Sequence, residues 1–176
     1  QCEVCTDNQY LFPLNTFANN SDSLEVEADE TDITENENYL ISGNVKLRSN
    51  ENFLAADQVV ISKKDKSSTA TGSVSYQDFN FLLTGTDLTV QKQDDNELIV
   101  DVSNAKYQEI KTKANGSAKT VNKTVNSATL KQATYSFCPI NKGDWLIKAD
   151  QIKLNLDNNR VVANKASLVF LGVPIF

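Results

Sequence analysis

An eight-residue pattern of apolar and polar positions recurs along the chain. It is clearest in LAADQVVI at residues 54–61, and it returns as LTGTDLTV at 83–90, IKADQIKL at 147–154 and, more weakly, VEADETDI at 26–33. In each copy, apolar residues flank a small residue that is usually followed by Asp. Self-similarity of this kind indicates stacked units, each leaving an apolar face that its neighbours cover.

A second pattern, G-x-V-x-L, lies between copies of the first. Gly43–Leu47 and Gly72–Tyr76 carry it 29 residues apart, and Asn164–Leu168 is a degenerate third copy. Short runs rich in β-branched and aromatic residues alternate with polar clusters, and no segment sustains a helical period of 3.6 residues. We therefore predict an all-β antiparallel domain with little or no helix over residues 24–176, preceded by a polar arm at 1–23.

Alternation along these strands predicts which side chains share one face of the sheet. Ala28, Ala56, Gly85 and Ala149 lie where the alternation slips by one residue, which predicts a bend or bulge. Stacked at about 4.8 Å per strand, the apolar positions would form one continuous wall. Such a wall is typical both of a closed core and of a groove that holds lipid. The predicted wall consists of Ile33, Val45, Leu47, Val59, Ile61, Val74, Tyr76, Leu88, Val90, Ile152, Leu154 and Leu168.

Composition excludes several classes of function. The 176 residues carry a net charge of −6, and the 17 Lys and Arg residues are scattered, which argues against nucleic-acid binding. The sequence has no His, so His-dependent catalytic triads and most zinc sites are excluded. No window approaches 18 consecutive apolar residues, so we expect no membrane-spanning helix. We expect no cofactor and no metal.

The repeated aspartates are the main candidates for chemistry. Asp29, Asp57 and Asp150 occupy one place in three copies of the repeat, where Thr86 stands in the fourth. They would suit a metal ladder, or a β-solenoid glycan hydrolase that uses Asp57 or Asp150 within a pair of carboxylates about 5 to 9 Å apart. Asp is also common at bends, where it bonds the backbone, and that interpretation is favoured.

The three cysteines suggest disulfide chemistry. Cys2 and Cys5 form a C-x-x-C pattern in the polar arm, and Cys138 is far from both in sequence. An odd count in an exported protein indicates a free thiol or a partner outside the chain. The chain begins with Gln1 and no apolar signal core, which suggests that it is processed or trimmed. A structural disulfide is favoured over a redox or half-zinc site, since the arm lacks the helical context of redox motifs and there is no second cysteine pair.

The C-terminal block adds specific motifs: Tyr135–Pro139, Trp145–Ile152, Asn164–Phe170 and Gly172–Phe176. With the two repeats, this block closely resembles the N-terminal periplasmic domain of the LptD (OstA) lipopolysaccharide-assembly family, over nearly the whole chain. The resemblance implies a β-jellyroll of the β-taco kind, an open V of antiparallel strands with an apolar interior. It also implies a non-enzymatic protein.

The resemblance further implies a role in lipopolysaccharide transport. Such a domain receives lipopolysaccharide from LptA in its groove and passes it to the outer-membrane barrel domain of the same protein, which works with LptE, on the periplasmic side of the cell outer membrane. We expect the strand near Leu24 to Ile33 to be the edge that faces LptA. Cys2 and Cys138 match family cysteines that bond to the barrel, whereas Cys5 departs from that pattern and its pairing with Cys2 stays open. The alternative within the pathway is a docking module like LptA or LptC.

Overall fold

The described part of the chain is built from β-strands. The computed structural model describes residues 9–19, 23–34, 38–93, 97–140 and 144–175, and helix is absent from these segments. In consequence, these segments contain no helix of the length and apolarity that crossing a membrane requires. The prediction of an all-β fold is confirmed. The strands are β1 Glu25–Glu27, β2 Glu30–Ile33, β3 Asn38–Arg48, β4 Phe53–Ser62, β5 Ser67–Gln77, β6 Phe81–Lys92, β7 Leu98–Glu109, β8 Asn115–Lys123, β9 Ser127–Tyr135, β10 Trp145–Asn155, β11 Arg160–Phe170 and β12 Val173–Pro174.

All twelve strands form one antiparallel sheet in which neighbours in sequence are neighbours in space. The order is β1-β3-β4-β5-β6-β7-β8-β9-β10-β11-β12, and β2 also pairs with β3. β1 and β2 pair with different halves of β3, and only Ala28 and Asp29 separate them in the chain. They are therefore two segments of a single edge strand, which is the weak fourth copy of the repeat.

The sheet bends along one line, which we call the crease. Five residues on alternate strands have positive φ angles of 45° to 49°: Asn44, Ser73, Asn104, Gln132 and Lys165. The residues that stand beside them on the intervening strands are Asp57, Thr86, Lys119 and Asp150. Because these positions are in register from β3 to β11, the whole sheet turns at the same place.

Two bulges explain why the sequence repeats a glycine. Gly43 and Asn44 together oppose Asp57 on β4, and Gly72 and Ser73 together oppose Thr86 on β6, so β3 and β5 each carry one extra residue. Gly72 has a φ of 73°, and a Cβ added there would lie 2.9 Å from Cβ of Asp57. Gly43 has the same relation to Asp29. The Asp of one repeat thus packs over the Gly of the next, and this contact couples the two sequence patterns.

The crease also keeps apolar side chains on one face. On β4 the buried residues of the apolar cluster are Leu54 and Ala56 before the bend and Val59 after it, so the alternation shifts by one residue at Asp57. β6 and β10 shift in the same way, at Thr86 and Asp150. The predicted slip in alternation is therefore confirmed. Without it, each strand would turn its apolar side chains outward beyond the bend.

Folding at the crease brings the two halves of the sheet face to face. The upper half ends in the turns at 49–52, 78–80 and 110–114, and the lower half ends in those at 63–66, 124–126 and 156–159. Residues of both halves belong to one apolar cluster, and Val59, Leu88 and Ile152 are exposed by 0% to 1%. Since neither a helix nor a second sheet covers this face in the described segments, the halves cover each other, as in the expected β-taco.

Candidate functional site

Most of the predicted wall lies between the two halves. Eight of its twelve residues are exposed by 0% to 6%. Burying one such side chain stabilises the fold by roughly 1.5–3 kcal/mol. The interior is thus a packed apolar layer, and its role in binding lipid stays a prediction. The eight residues are Val45, Leu47, Val59, Val74, Tyr76, Leu88, Ile152 and Leu154.

The remaining four lie nearer the ends of the layer. Ile61 and Val90 are half-buried and pack against the apolar cluster. Leu168 is half-buried on β11. Ile33 is 62% exposed, because it lies on the edge strand beside Tyr39 and has no further strand beyond it. Ile33 therefore marks where the apolar layer opens at the edge of the sheet.

The sequence interpretation missed a large part of the interior. The omitted strands β7, β8 and β9 lack the repeat but alternate in the same way. The dipeptide Tyr107-Gln108 repeats Tyr76-Gln77, which ends β5, and together with the alternation it is the sequence signal for β7. The missed interior residues include Ile41, Phe81, Leu83, Val100, Val102, Tyr107, Val121 and Leu130.

Burial makes the interior tyrosines harder to ionise. Removal from water raises the pKa of Tyr76 and of Tyr107 well above the usual value, and raises the pKa of Tyr135 to about 12. The Tyr107 hydroxyl donates a hydrogen bond of 2.6 Å to the carbonyl oxygen of Thr134. The phenol groups, which are uncharged near neutral pH at their usual pKa, therefore stay uncharged in the apolar layer at alkaline pH as well.

The repeated aspartates form their contacts with other residues of the crease. Asp29 Oδ2 accepts a hydrogen bond of 2.9 Å from Asn44 Nδ2, and Asp150 forms an ion pair of 3.4 Å with Lys165. Asp57 and Asp150 are separated by six strand spacings, on the order of 29 Å along the crease. They are too far apart to act on one substrate as paired carboxylates. The described residues also contain no group of three or more acidic or cysteine side chains placed to hold a metal.

An ion pair joins the upper and lower halves at their free ends. Lys123 Nζ, at the end of β8 in the lower half, lies 2.6 Å from Asp78 Oδ2 in the upper turn between β5 and β6. Their side chains are only 5% and 12% exposed. Asp78 is fixed by its own turn, since its Oδ1 accepts 2.8 Å hydrogen bonds from the backbone N–H groups of Asn80 and Phe81. Removing one partner of such a pair leaves an uncompensated buried charge and costs roughly 3–5 kcal/mol.

A cavity of about 210 Å³ adjoins this ion pair. Its walls come from both halves, with Tyr76 and Asn52 from the upper half and Val100 and Val125 from the lower half. At its rim Phe79 is 64% exposed and Val125 is 58% exposed. The cavity thus leads from apolar side chains at the surface to the apolar layer, along the line where the free ends of the two halves meet. We call this line the mouth.

The N-terminal arm is bound to the upper half by two buried amides. Gln108 Nε2 donates to the carbonyl oxygen of Gln9 and its Oε1 accepts from the N–H of Leu11. Gln77 makes the same reciprocal pair with the backbone of Asn15, at 3.0 and 2.8 Å. Each side-chain amide thus makes the pair of hydrogen bonds that the backbone of a neighbouring strand would make. Residues 9–19 run across the ends of β7, β5 and β3, where the N–H of Ala18 donates to the carbonyl oxygen of Ser49.

The Phe-Cys-Pro segment packs against aromatic rings at the end of β9 and the start of β10. Phe137 contacts the rings of Tyr135 and Trp145, at centroid distances of 5.4 and 6.2 Å. Asn115 Nδ2 donates a 2.8 Å hydrogen bond to the carbonyl oxygen of Cys138. Cys138 is 1% exposed and is disulfide-bonded.

Pairing of Cys138 with a cysteine of a barrel domain stays a prediction, because the structure contains this chain alone. Cys2 and Cys5 fall outside the described residues, and so do their predicted roles. The predicted boundary between arm and domain at residue 24 also stays a prediction.

The edge strand leaves one rung of the apolar layer uncovered. Val26 and Ile33 lie beside the inward-facing Leu47 and Tyr39 of β3, and they are 45% and 62% exposed. The opposite face of this edge is acidic. There Glu27 pairs with Lys46 and Arg48 at 3.4 Å, and the hydrogen bond from Lys46 and the charge of Arg48 hold its pKa below the usual range.

Residues 25–160 match the family model described as LptA/(LptD N-terminal domain) LPS transport protein. The chain belongs to this LptA/LptD N-terminal family. The match starts at the first residue of β1 and ends at the first residue of β11, so it contains nearly all of the folded sheet. The fold and the family expected from the sequence are therefore both confirmed.

Curated relatives named LPS-assembly protein LptD agree with the family assignment. The chain is 26% identical to the protein of Pseudoalteromonas atlantica over 93% of its length, and 24% identical to that of Aliivibrio fischeri over 98%. It is 32% identical to the protein of Nitrosococcus oceani over 75% of its length. The chain spans about a fifth of the length of these relatives.

A solved structure is also similar in part. It is LptH of Pseudomonas aeruginosa, described as the LptA-homologous periplasmic component of a lipopolysaccharide transport device. The alignment covers 84% of this chain and 94% of LptH, with 15% sequence identity and a TM-score of 0.35.

Proposed function

We propose that this domain carries lipopolysaccharide by holding its acyl chains between the two halves of the folded sheet. The observation that supports the proposal is the apolar layer itself, which the crease keeps on one face of the sheet from β3 to β10. One 12-carbon acyl chain exposed to water costs on the order of 9 kcal/mol, at about 0.8 kcal/mol per CH₂. An apolar layer removes that cost, and its nondirectional contacts let the chain slide.

The proposed setting is the periplasmic side of the outer membrane. The domain would receive lipopolysaccharide from LptA and pass it to an outer-membrane barrel of the same protein, which works with LptE. The uncovered rung at Val26 and Ile33 supports docking of an LptA strand at this edge, since an added strand would cover both side chains and pair with the backbone of the edge strand. The proposed role requires no catalytic step.

Site-specific photo-crosslinking tests the groove. A photoreactive side chain at Ile61 or Val90 disturbs the packing little because both positions are half-buried, and it should capture lipopolysaccharide in cells. Val59, Leu88 and Ile152 extend the test to the fully buried part of the layer. The matched control is Gln58, which lies next to Val59 on β4 but is exposed on the outer face.

Selective capture at the inner positions would support the proposal. Equal capture at Ile61 and Gln58, or capture at Gln58 alone, would contradict it. The docking-module alternative, which the exposed edge strand favours, predicts a different result. In that case charged substitutions at Ile33 abolish transport, whereas Val90→Asp leaves it intact.

A further inference from the structure

The ion pair between Asp78 and Lys123 is the feature of the mouth that the transport proposal does not yet use. Among the described residues, these two are the charged side chains that the fold buries. They come from opposite halves, and they lie at the rim of the cavity that leads to the apolar layer. The pair therefore holds the two halves together at this point of the mouth.

We propose that Asp78 and Lys123 form a latch on a lateral port, and that the phosphate of an amphiphile releases the latch by replacing Asp78 as the partner of Lys123. This inference rests on the proposed function, because it names the route by which an acyl chain enters the same interior. The amphiphile would place its phosphate at Lys123 Nζ and its acyl chain in the cavity between Tyr76 and Val100.

The arrangement of the pair suits this exchange because its two members are held differently. Asp78 stays with the upper turn, since two backbone N–H groups bind its other oxygen. Lys123 reaches across the mouth on a flexible stem, and its Nζ also donates a 2.9 Å hydrogen bond to the carbonyl oxygen of Thr124 in its own half. When the halves separate, Lys123 keeps one partner and has donors left for a new one.

A phosphate is the replacement that the chemistry favours. Opening the mouth without a new anion would leave a buried ammonium group unpaired, which is unfavourable. A phosphate supplies negative charge and several acceptor oxygens, so it can form a charge-assisted hydrogen bond with Lys123. A neutral sugar headgroup cannot compensate the ammonium charge. Entry through this port should therefore depend on the headgroup, although the acyl chain supplies most of the burial.

Titration with single-chain amphiphiles tests the latch directly. The ligands are dodecyl phosphate, dodecyl maltoside and inorganic phosphate, each below any micelle-forming concentration, and binding is followed by amide NMR shifts at 78–81 and 123–125. Wild-type protein should bind dodecyl phosphate more tightly than either of the others. Lys123→Met should weaken the binding of dodecyl phosphate roughly tenfold, the change expected for one charge-assisted hydrogen bond. It should not weaken the binding of dodecyl maltoside, which gains no bond from Lys123 and no longer has to open the ion pair.

The complementary variant gives an opposite expectation. Asp78→Asn removes the competing anion, so it should tighten dodecyl phosphate binding severalfold. If Lys123→Met does not fold, Asp78→Asn and the charge-retaining Lys123→Arg still decide the question. Lys165→Met is the matched control, because Lys165 forms an exposed ion pair with Asp150 at the crease, far from the mouth. It should change neither affinity.

Three results would overturn the latch. One is an equal change for both amphiphiles in Asp78→Asn and Lys123→Met, which would indicate a purely structural ion pair. The second is equal binding of inorganic phosphate, which would indicate an ion site without a port. The third concerns photo-crosslinking of lipopolysaccharide at Ile61. If Asp78→Asn leaves this capture unchanged, the latch is contradicted but the proposed function is not. If the wild-type protein shows no capture at all, the proposed function itself is contradicted.

Discussion

Gly72→Ala is the sharpest test of the crease. Gly72 has a φ of 73°, a region where a residue with a Cβ costs roughly 1–2 kcal/mol. The new Cβ would also lie 2.9 Å from the Asp57 Cβ, and closer still to its carboxylate. Rotation of Asp57 removes the carboxylate contact but not the contact between the two Cβ atoms. The strands must therefore shift, and overpacking of this kind adds roughly 1–3 kcal/mol.

Gly172→Ala is the matched control for that variant. Gly172 has a φ of 80°, but a Cβ there would meet no atom within 4 Å. Both variants carry the same conformational cost and the same change in unfolded-state entropy, so their difference isolates the contact with Asp57. Urea unfolding followed by Trp145 fluorescence should place the midpoint of Gly72→Ala below that of Gly172→Ala by roughly 0.5–1.5 M, at a slope of about 2 kcal/mol/M.

Equal destabilisation by the two substitutions would refute the reasoning. It would mean that Asp57 does not pack over Gly72 and that the bulge on β5 has another cause. Gly43→Ala provides an independent repeat of the test, because Asp29 lies over Gly43 in the same way. A destabilisation like that of Gly72→Ala is expected.

Three further predictions address the arm, the interior and the edge. Gln108→Leu should lower the free energy of unfolding by roughly 1–3 kcal/mol and speed amide exchange of residues 9–19, since it orphans the backbone groups of Gln9 and Leu11; unchanged exchange would contradict the bound arm. The pKa of Tyr135 is raised from 10 to about 12, so the stability it contributes should be complete below pH 10 and should fall as the pH rises towards 12; denaturant titrations at these pH values check the sign, and a rise in stability would contradict it. Ile33→Lys should abolish binding of LptA and leave the urea midpoint unchanged. Val162→Lys is the control, because Val162 is also exposed but lies near the other edge of the sheet, and it should leave binding intact. Equal effects of the two substitutions on binding would contradict the edge assignment.

The repeats predicted much of the fold because their residues are required by the local backbone conformation. A small residue followed by Asp marks each place where a strand changes which face its apolar residues occupy, and Gly43 and Gly72 mark the bulges opposite. Val59, Leu88 and Ile152 could therefore be placed on one face from alternation alone. β7, β8 and β9 were not assigned wall residues, because Asn104, Lys119 and Gln132 continue the crease without the Ala-Asp or Gly signal.

The aspartates show the limit of motif reasoning. Asp57 and Asp150 share one place in the repeat, which made a catalytic pair conceivable from the sequence. In the sheet, both residues lie on the crease but on strands that are six positions apart. Equivalent positions of the repeat therefore lie far from each other in space. Each contacts a crease residue of its neighbouring strand, Gly72 for Asp57 and Lys165 for Asp150.

The sequence by itself determined the strand alternation, the slip at the crease and the family, because each depends on residues close together in the chain or on motifs read in order. Only the tertiary structure decided what closes the interior. Gln108 binds backbone groups 97 and 99 residues away, and Lys123 meets Asp78 across the mouth. No local pattern specifies these contacts, since they exist only after the crease has turned one half of the sheet onto the other.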